Sequence, residues 1–375
     1  MINANKELLN SFFTSNLQYI VPFFQRTYVW DEDNWEILWE HISQIAQKTN
    51  GPHNDEHFIG TLITKQQVSE RIDESKRDLI DGQQRLTTIA LLLKAIATKA
   101  TGQGDYIKLK DKANELLLFE NSRGEKFLRI EHSRNDKEYF EAIMHDGDLS
   151  KLNNQEHKIL KCYKFFKDKL KDFSDDQLEN LRTIILSNVP VISMLLSDKD
   201  DEQEIFDTIN SLGVKLTTGE LLKNYIFKEK ELQSLYESHW HDVFEEDEEQ
   251  IEFWNKNKTS GRIIRTNIEI LLYCYLIIKI RSDVKLEKLF IAYKNWLSGK
   301  SQDDKKDFLE ELKRYATIYY NFPDSSELNE ISFSQEQERF FHIIENLEIT
   351  TVYPLILFIY DKLPIRQPVF NYLKS

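Results

Sequence analysis

The sequence predicts an α/β or α+β core over residues 1–228, followed by an all-helical domain over residues 229–375. Three observations carry that expectation. Short apolar runs bounded by polar residues recur in the first part. They alternate with segments whose apolar residues return at helical spacing. Beyond Glu229 only helical spacing is left, without a glycine-rich or low-complexity linker or a repeat of fixed period. Strand, helix, strand, strand, helix is an opening order that an all-helical bundle does not produce.

Taken in order, Ala4 to Phe13 reads as a short amphipathic helix and Leu17 to Val21 as a strand stopped by Pro22. Asp31 is placed to cap a helix running to about Lys48, with Trp35, Leu38, Ile42 and Ile45 on one face. Thr49 to Asp55 is a loop. His57 to Thr64 is a β-type run, and a charged hairpin from Gln66 to Lys76 leads into the strand Asp78–Ile80. The apolar run Leu86 to Ala97 then repeats at helical spacing. Asp105 to Phe119 reads as one helix, Lys126 to Ile130 as a short strand, and Ser133–Met144 and Glu156–Lys171 as helices. Ser174 caps another helix, ending near Ser187, and Val189–Leu196 is the last strand, with Pro190 at a sheet edge or near the strand's own start. Asp201–Leu212 is a helix, and Thr217 with Glu220 opens the next. The remaining segments Glu231–Phe244, Ile263–Ile280, Leu286–Trp296, Lys305–Tyr320, Gln335–Leu347 and Val352–Leu363 all read as helices.

Composition narrows the function. The charged fraction is 30% and the hydrophobic fraction 41%, as in a folded globular protein, and the net charge of −14 argues against nonspecific coating of DNA. A local basic cleft remains compatible with that average. Much of the acid lies in Glu245–Glu249, which reads as a solvated turn or helix start. Cys162 and Cys274 sit inside helical apolar patterns and read as buried hydrophobes in a reducing compartment. The first residues lack a signal-peptide layout, and the most apolar stretch, Ile268–Ile280, is too short to cross a bilayer. The expected location is the cytoplasm, with no membrane partner.

One stretch carries the candidate chemistry. Asp78-Leu79-Ile80-Asp81-Gly82-Gln83-Gln84-Arg85 reads as a strand, a one-glycine turn and the first turn of a helix. The amides of Gln83, Gln84 and Arg85 fall where a helix has unpaired donors and a partial positive charge. Such a start holds an anion readily, and an arginine there adds a bidentate grip on phosphate. Asp81 is positioned to hold Mg²⁺ or a ribose hydroxyl. The structural alternative is a plain strand-to-helix connection whose polar residues cap the helix.

Four segments in order resemble the N-terminal domain of GmrSD-type restriction endonucleases. Asp81-Gly82-Gln83-Gln84-Arg85 matches that family's DGQQR signature. Val21-Pro22-Phe23-Phe24-Gln25-Arg26-Thr27-Tyr28-Val29-Trp30 resembles its VPxFQRxYxW entry motif, and His57-Phe58-Ile59-Gly60-Thr61 its F-(I/L)-G strand. Phe206 to Thr217, with Leu221-Leu222-Lys223-Asn224, resembles its closing motif. The resemblance spans roughly Phe12 to Phe227. It implies an α+β, ParB/sulfiredoxin-like mixed-sheet core, related to SspE proteins, that binds and hydrolyses nucleoside triphosphate with Mg²⁺. It also implies regulation of a DNA nuclease aimed at modified phage DNA. The family's nuclease half carries an HNH motif, which the nine histidines here do not reproduce. The expectation is therefore a nuclease-free subunit, or the front half of a longer protein, working with an HNH nuclease domain or subunit, with a homo-oligomer as a candidate assembly.

The resemblance also distributes roles. Asp81, Gln83, Gln84 and Arg85 are the candidate catalytic group: Arg85 to neutralise developing charge, a glutamine to orient water or a phosphate oxygen, and Asp81 for the metal or the attacking water. Gly82, Gln25, Arg26, Tyr28 and Thr87 are candidates for holding nucleotide, with Tyr28 and Trp30 offering stacking surfaces. The alternative for this segment is that Arg26 forms a salt bridge and the aromatics are core. Arg134, Asn135, Asn210, Lys215, Lys223 and Asn224 are candidate cleft or DNA contacts, with capping explaining Asn210 and solvent exposure explaining Lys223 equally well. His57 could touch a ligand, though an isolated histidine is more often structural. Gly261 to Asn267 is a local basic spot, able to meet nucleic acid or a partner, or to pair with Glu245–Glu249.

Overall fold

The computed structural model describes residues 3–47, 56–67, 76–103, 106–196, 217–260, 263–323, 332 and 334–362. The chain divides into two compact units, Met1–Gly213 and Val214–Ser375. The loop Thr49–Asp55, the tip of the hairpin between Gln66 and Lys76, and the helix expected over Asp201–Leu212 lie outside the described residues.

The first unit is built on a six-stranded mixed sheet. Its strands are β1 (Asn3–Leu8), β2 (Gln18–Ile20), β3 (Thr61–Gln66), β4 (Lys76–Asp81), β7 (Ile130–Glu131) and β8 (Pro190–Leu196), in the order β1-β8-β3-β4-β2-β7. β8 pairs antiparallel with β1 and parallel with β3, while β4 pairs antiparallel with β3 and parallel with β2. Pro190 is the first residue of β8, so its missing N–H falls at the strand's start although the strand is internal. A separate two-stranded hairpin joins β5 (Leu118–Glu120) to β6 (Lys126–Leu128).

Helices α1 (Leu9–Thr14), α2 (Glu32–Gln47), α3 (Gln83–Lys99), α4 (Leu109–Leu116), α5 (Arg134–Met144), α6 (Lys158–Lys169) and α7 (Asp175–Ser187) complete the unit. Helix α3 is the central one, buried from Leu86 to Ala97 and packed against α4, α6 and α7. Its apolar residues share one core with Tyr19, Leu62, Leu79, Ile130 and Val191 of the sheet. A smaller cluster of Ile63 and Leu196, with Ile80 and Met194, does not belong to that core. Ser174 forms a full capping box with Gln177 at the start of α7. Ser174→Ala should therefore lower unfolding free energy by about 1 kcal/mol in a urea titration.

Two elements differ from the sequence expectation. Residues 3–8 are a strand, not part of a helix, because their backbone pairs in register with β8, from Asn3↔Leu195 to Leu8↔Pro190. Only Leu9–Thr14 is helical. The expected helix Asp105–Phe119 is shortened to Leu109–Leu116, because Leu118–Glu120 turns back on Lys126–Leu128. The turn between them closes through Asn121 and Gly124, the latter at φ 78°.

The second unit is helical, with one departure. α8 (Thr218–Phe227) starts on a Thr217–Glu220 capping box and packs against later helices of this unit, so the packing boundary falls at Gly213–Val214. Where the sequence reads as a helix from Ile263, a hairpin pairs β9 (Asn257–Ser260) with β10 (Ile263–Thr266). Two β-branched isoleucines favour the strand. Thr266 then caps the helix Asn267–Ile280 in a box with Glu269. Of the basic spot, Gly261 and Arg262 lie outside the described residues, Arg265 donates to Ile264 O, and Asn267 is buried. The acidic run Glu245–Glu249 is only partly a solvated helix start: Asp247 caps the helix Glu248–Asn255, but Glu245 faces Lys223. Cys162 and Cys274 are free and buried, as expected for small hydrophobes.

Candidate functional site

Strand β4 ends at Asp81, and Gly82 turns the chain into α3. Gly82 has φ 98°, a left-handed conformation that glycine tolerates. A Cβ there would lie 2.0 Å from Leu62 Cδ2 and 3.3 Å from Thr61 O, so the turn is pressed onto β3. The first intrahelical bond runs from Leu86 N to Gly82 O, which leaves the amides of Gln83, Gln84 and Arg85 ahead of the ladder. No side chain caps this end. The Gln83 side chain is buried, and its Nε2 has no hydrogen-bond partner among the described residues.

Arg85 lies across the same corner. Its Nη2 donates to Asp81 Oδ2 at 2.7 Å and to Thr61 O at 2.7 Å. Gly60, at φ 105°, makes room for it: a Cβ there would sit 2.7 Å from Arg85 Nη1. Arg85 Nε is buried and unpartnered among the described residues. The ion pair is about one-fifth exposed on each side. Asp81 and Arg85 are thus each other's partner, and their engagement of a metal and a phosphate would compete with that pair.

The aromatic entry segment joins this corner from β2. Pro22 ends the strand, and the ladder of β2 on β4 stops at Ile20↔Asp78. Gln25 takes over, its Nε2 donating to Leu79 O at 2.8 Å and Ile80 O at 3.3 Å. Its amide substitutes for the missing strand. Arg26 beside it is half-buried.

Gln84 is a splint. Its Oε1 accepts from Val29 N (2.7 Å) and Trp30 N (3.2 Å), and its Nε2 donates to Thr27 O (3.2 Å). Of the two glutamines from which a water-orienting role is expected, Gln84 is thus engaged by backbone, and Gln83 is the one whose amide faces the corner unpartnered among the described residues. Tyr28 is fully inside the core and offers no face to a base. Its hydroxyl bonds Thr88 Oγ1 at 2.6 Å, accepts Trp35 Nε1–H at 2.8 Å and lies 3.4 Å from Cys162 Sγ. Burial pushes both the Tyr28 phenol and the Cys162 thiol up. Tyr28→Phe should lower stability by about 1–3 kcal/mol, read by urea unfolding, since Trp35 and Thr88 lose a buried partner. Trp30 packs against the core, as an anchor would.

Thr87 likewise faces inward, its Oγ1 3.0 Å from His132 Nε2. Around it lies a buried polar cluster that sequence reasoning did not assemble. Asp136 Oδ2 accepts Tyr28 N–H at 2.8 Å and stands 4.0 Å from His132 Nδ1, while Oδ1 stands 3.6 Å from His157 Nε2. Tyr139 stacks flat on His157, with centroids 3.8 Å apart. Burial raises Asp136 to about 7 and depresses His132 to about 3 and His157 to about 4. Arg129, in the same stretch, is a clamp: its guanidinium donates to the carbonyls of Leu116, Ser15, Leu17 and Leu118.

The outlying candidates divide. Arg134 and Asn135 open α5, and their side chains lie outside the described residues, as do Asn210 and Lys215. Lys223 is neither exposed nor available to DNA: it is buried in the second unit, its Nζ 2.5 Å from Glu245 Oε1. Tyr236 donates to the other oxygen of that carboxylate. Asn224, on the same helix, is half-buried. His57 lies against His41, with ring centroids 4.2 Å apart and the rings tilted by 39°, near the surface. Among the described residues, the ligand-type side chains that converge as a trio are Glu237, His241 and Asp242 in the second unit; Asp81 has no such companions. None of the helices of the described residues is long and apolar enough to cross a membrane.

No curated protein matches the chain. The model of the GmrSD restriction endonuclease N-terminal domain matches residues 8–227, which include the Gly82 corner, the Gln25 segment and the Asp136 cluster. With well over half its length so matched, the chain belongs to the GmrSD restriction endonuclease family through its N-terminal domain.

Proposed function

We propose that the chain is the nucleotide-binding and -hydrolysing sensor module of a modification-dependent restriction system that acts on phage DNA. The observation that carries this reading is the start of α3. It is an uncapped helix N-terminus formed by a left-handed glycine, with the buried, unpartnered Gln83 amide and Arg85 Nε beside it. A triphosphate tail supplies the anionic oxygens that such donors lack. Among the described residues Asp81 is the carboxylate that would hold Mg²⁺ there, which fits an ion shared with phosphates and not one held by a protein cage. When bound there, the ion would neutralise phosphate charge. Opening of the Asp81–Arg85 pair would free the guanidinium for the phosphates. Modified DNA and an HNH nuclease domain or subunit are the partners this reading expects, in the cytoplasm, with a homo-oligomer as a candidate assembly.

The test is phosphate release with each of the four nucleoside triphosphates and Mg²⁺, with and without DNA, for the chain and for Arg85→Ala. Release that the variant loses supports the site, and equal rates remove it. One observation favours a second reading, a sensor that binds without turnover: Asp81 is already engaged by Arg85 and is not free to act on water. Tight nucleotide binding with no phosphate release would select that reading.

A further inference from the structure

The Asp136 cluster has no part in the reading above, yet it touches both motif segments. Through Thr87 and His132 it reaches α3, one turn beyond Gln83. Through Tyr28 N it holds the entry segment. Through His157, the N-cap of α6, it reaches a third element. The carboxylate and the His132 imidazole are enclosed, His157 is half-buried at their edge, and Asp136 Oδ1 and His132 Nδ1 have no hydrogen-bond partner among the described residues. Orphaned groups of this kind ask for an account. The cluster does not converge on a metal, since His132, His157 and Asp136 do not form a ligand trio.

We propose that Asp136 is a positioning residue for the Gly82 corner, fixing residues 25–30 against α3 through Tyr28 N–H. Gln25 and Arg26 are set by that anchor, together with the Gln84 splint on residues 27–30. The inference rests on the phosphate-binding reading for what the corner does, but not for the anchor itself.

The groups facing Asp136 determine the form in which it works. They are the Tyr28 amide, His132 before α5 and His157 at the start of α6. His157 Nδ1 accepts Ile159 N–H at 3.3 Å, which leaves its proton on Nε2, toward Asp136. Both imidazoles stay neutral because burial depresses them. The nearby Lys158 ammonium is directed to Val29 O, at 2.8 Å. Among the described residues, no cation pairs with the Asp136 charge. Burial holds the enclosed carboxyl up at about 7, whereas a hydrated one lies at about 4. The closed arrangement is therefore favoured at low pH and lost progressively as pH rises from about 4 to about 7, beyond which the effect levels off.

The test is hydrogen exchange of residues 28–30 between pH 5 and pH 8.5, corrected for the intrinsic rate, in the full chain and in Asp136→Asn. The asparagine is a neutral isostere of the protonated acid. Wild-type protection should fall by about tenfold per pH unit up to about 7 and then level off, while the variant should hold an even profile. Identical profiles in the two proteins, or loosening toward low pH, would overturn the anchor. Should Asp136→Asn not fold, exchange in the wild type alone decides: protection of the Tyr28 amide that falls as pH rises supports the proposal, and exchange at the intrinsic rate throughout overturns it. Phosphate release is recorded alongside. Loosening that depends on Asp136 in a chain that releases no phosphate upholds the anchor and removes only the hydrolytic reading. In a chain that does hydrolyse, Asp136→Asn should flatten the pH dependence of KM and leave kcat within about twofold, since the anchor acts on placement of the segment and not on the bond that breaks.

Discussion

Arg85→Ala is expected to reduce phosphate release by about 100-fold to 1000-fold, the range seen when one preorganised donor to a developing negative charge is removed. The guanidinium is held at the start of α3 by a dedicated cradle, with Gly60 cleared beneath it and Thr61 O and Asp81 orienting it. Stability should fall by a smaller factor. The pair with Asp81 is about four-fifths buried, and the variant leaves Asp81 and Thr61 O without the guanidinium, a loss of about 1–3 kcal/mol. The two readouts therefore separate: phosphate release per folded molecule collapses in a chain that urea titration still shows to be folded in water. Arg85→Lys should recover only part of the activity, because a point charge cannot reproduce a planar fork. A fall in activity matched by an equal loss of folded protein would mean that Arg85 is a structural staple.

Gly82→Val is expected to have the largest effect on folding. Two costs act together. A β-branched residue at φ 98° is strained wherever space is found for it. Space is also missing, since the new Cβ would lie 2.0 Å from Leu62 Cδ2, and Leu62 is fully buried under the sheet's helical layer. The turn cannot yield without moving β3 or α3. A loss of about 3 kcal/mol or more is expected, measured by denaturant unfolding. Nucleotide binding should disappear in whatever fraction remains folded, because the amides of residues 83–85 would no longer converge. A variant of unchanged stability would show that the left-handed turn is not the conformation in solution.

The centre of this site was legible because it is local. Strand, glycine and helix start lie within Asp78–Arg85, and their spacing alone puts the free amides and Arg85 at one corner. The capping boxes at Ser174 and Thr217 were legible for the same reason. What escaped depends on long separations. Asp136 meets Tyr28 across more than a hundred residues, and nothing in its own surroundings marks it as buried. Tyr28 reads as a stacking surface in sequence, since an aromatic beside Gln25 and Arg26 looks the same whether it faces solvent or Trp35 and Cys162. Gln83 and Gln84 are identical in type, and only the fold turns one to the corner and the other to the 27–30 backbone. Residues 3–8 and the hairpin at 257–266 were missed because pairing with a distant or following strand overrode a local helical pattern. Lys223 was misplaced because a lysine is rarely buried, and its partner Glu245 sits inside a run that otherwise reads as solvated.

The most direct measurement is a crystal structure of the chain with a non-hydrolysable nucleoside triphosphate and Mg²⁺. The account predicts phosphate oxygens within hydrogen-bond reach of the amides of Gln83, Gln84 and Arg85, the Gln83 side-chain amide partnered, and Arg85 turned from Asp81 toward the ligand. Nucleotide bound elsewhere, with the Asp81–Arg85 pair intact and Gln83 still unpartnered, would contradict it.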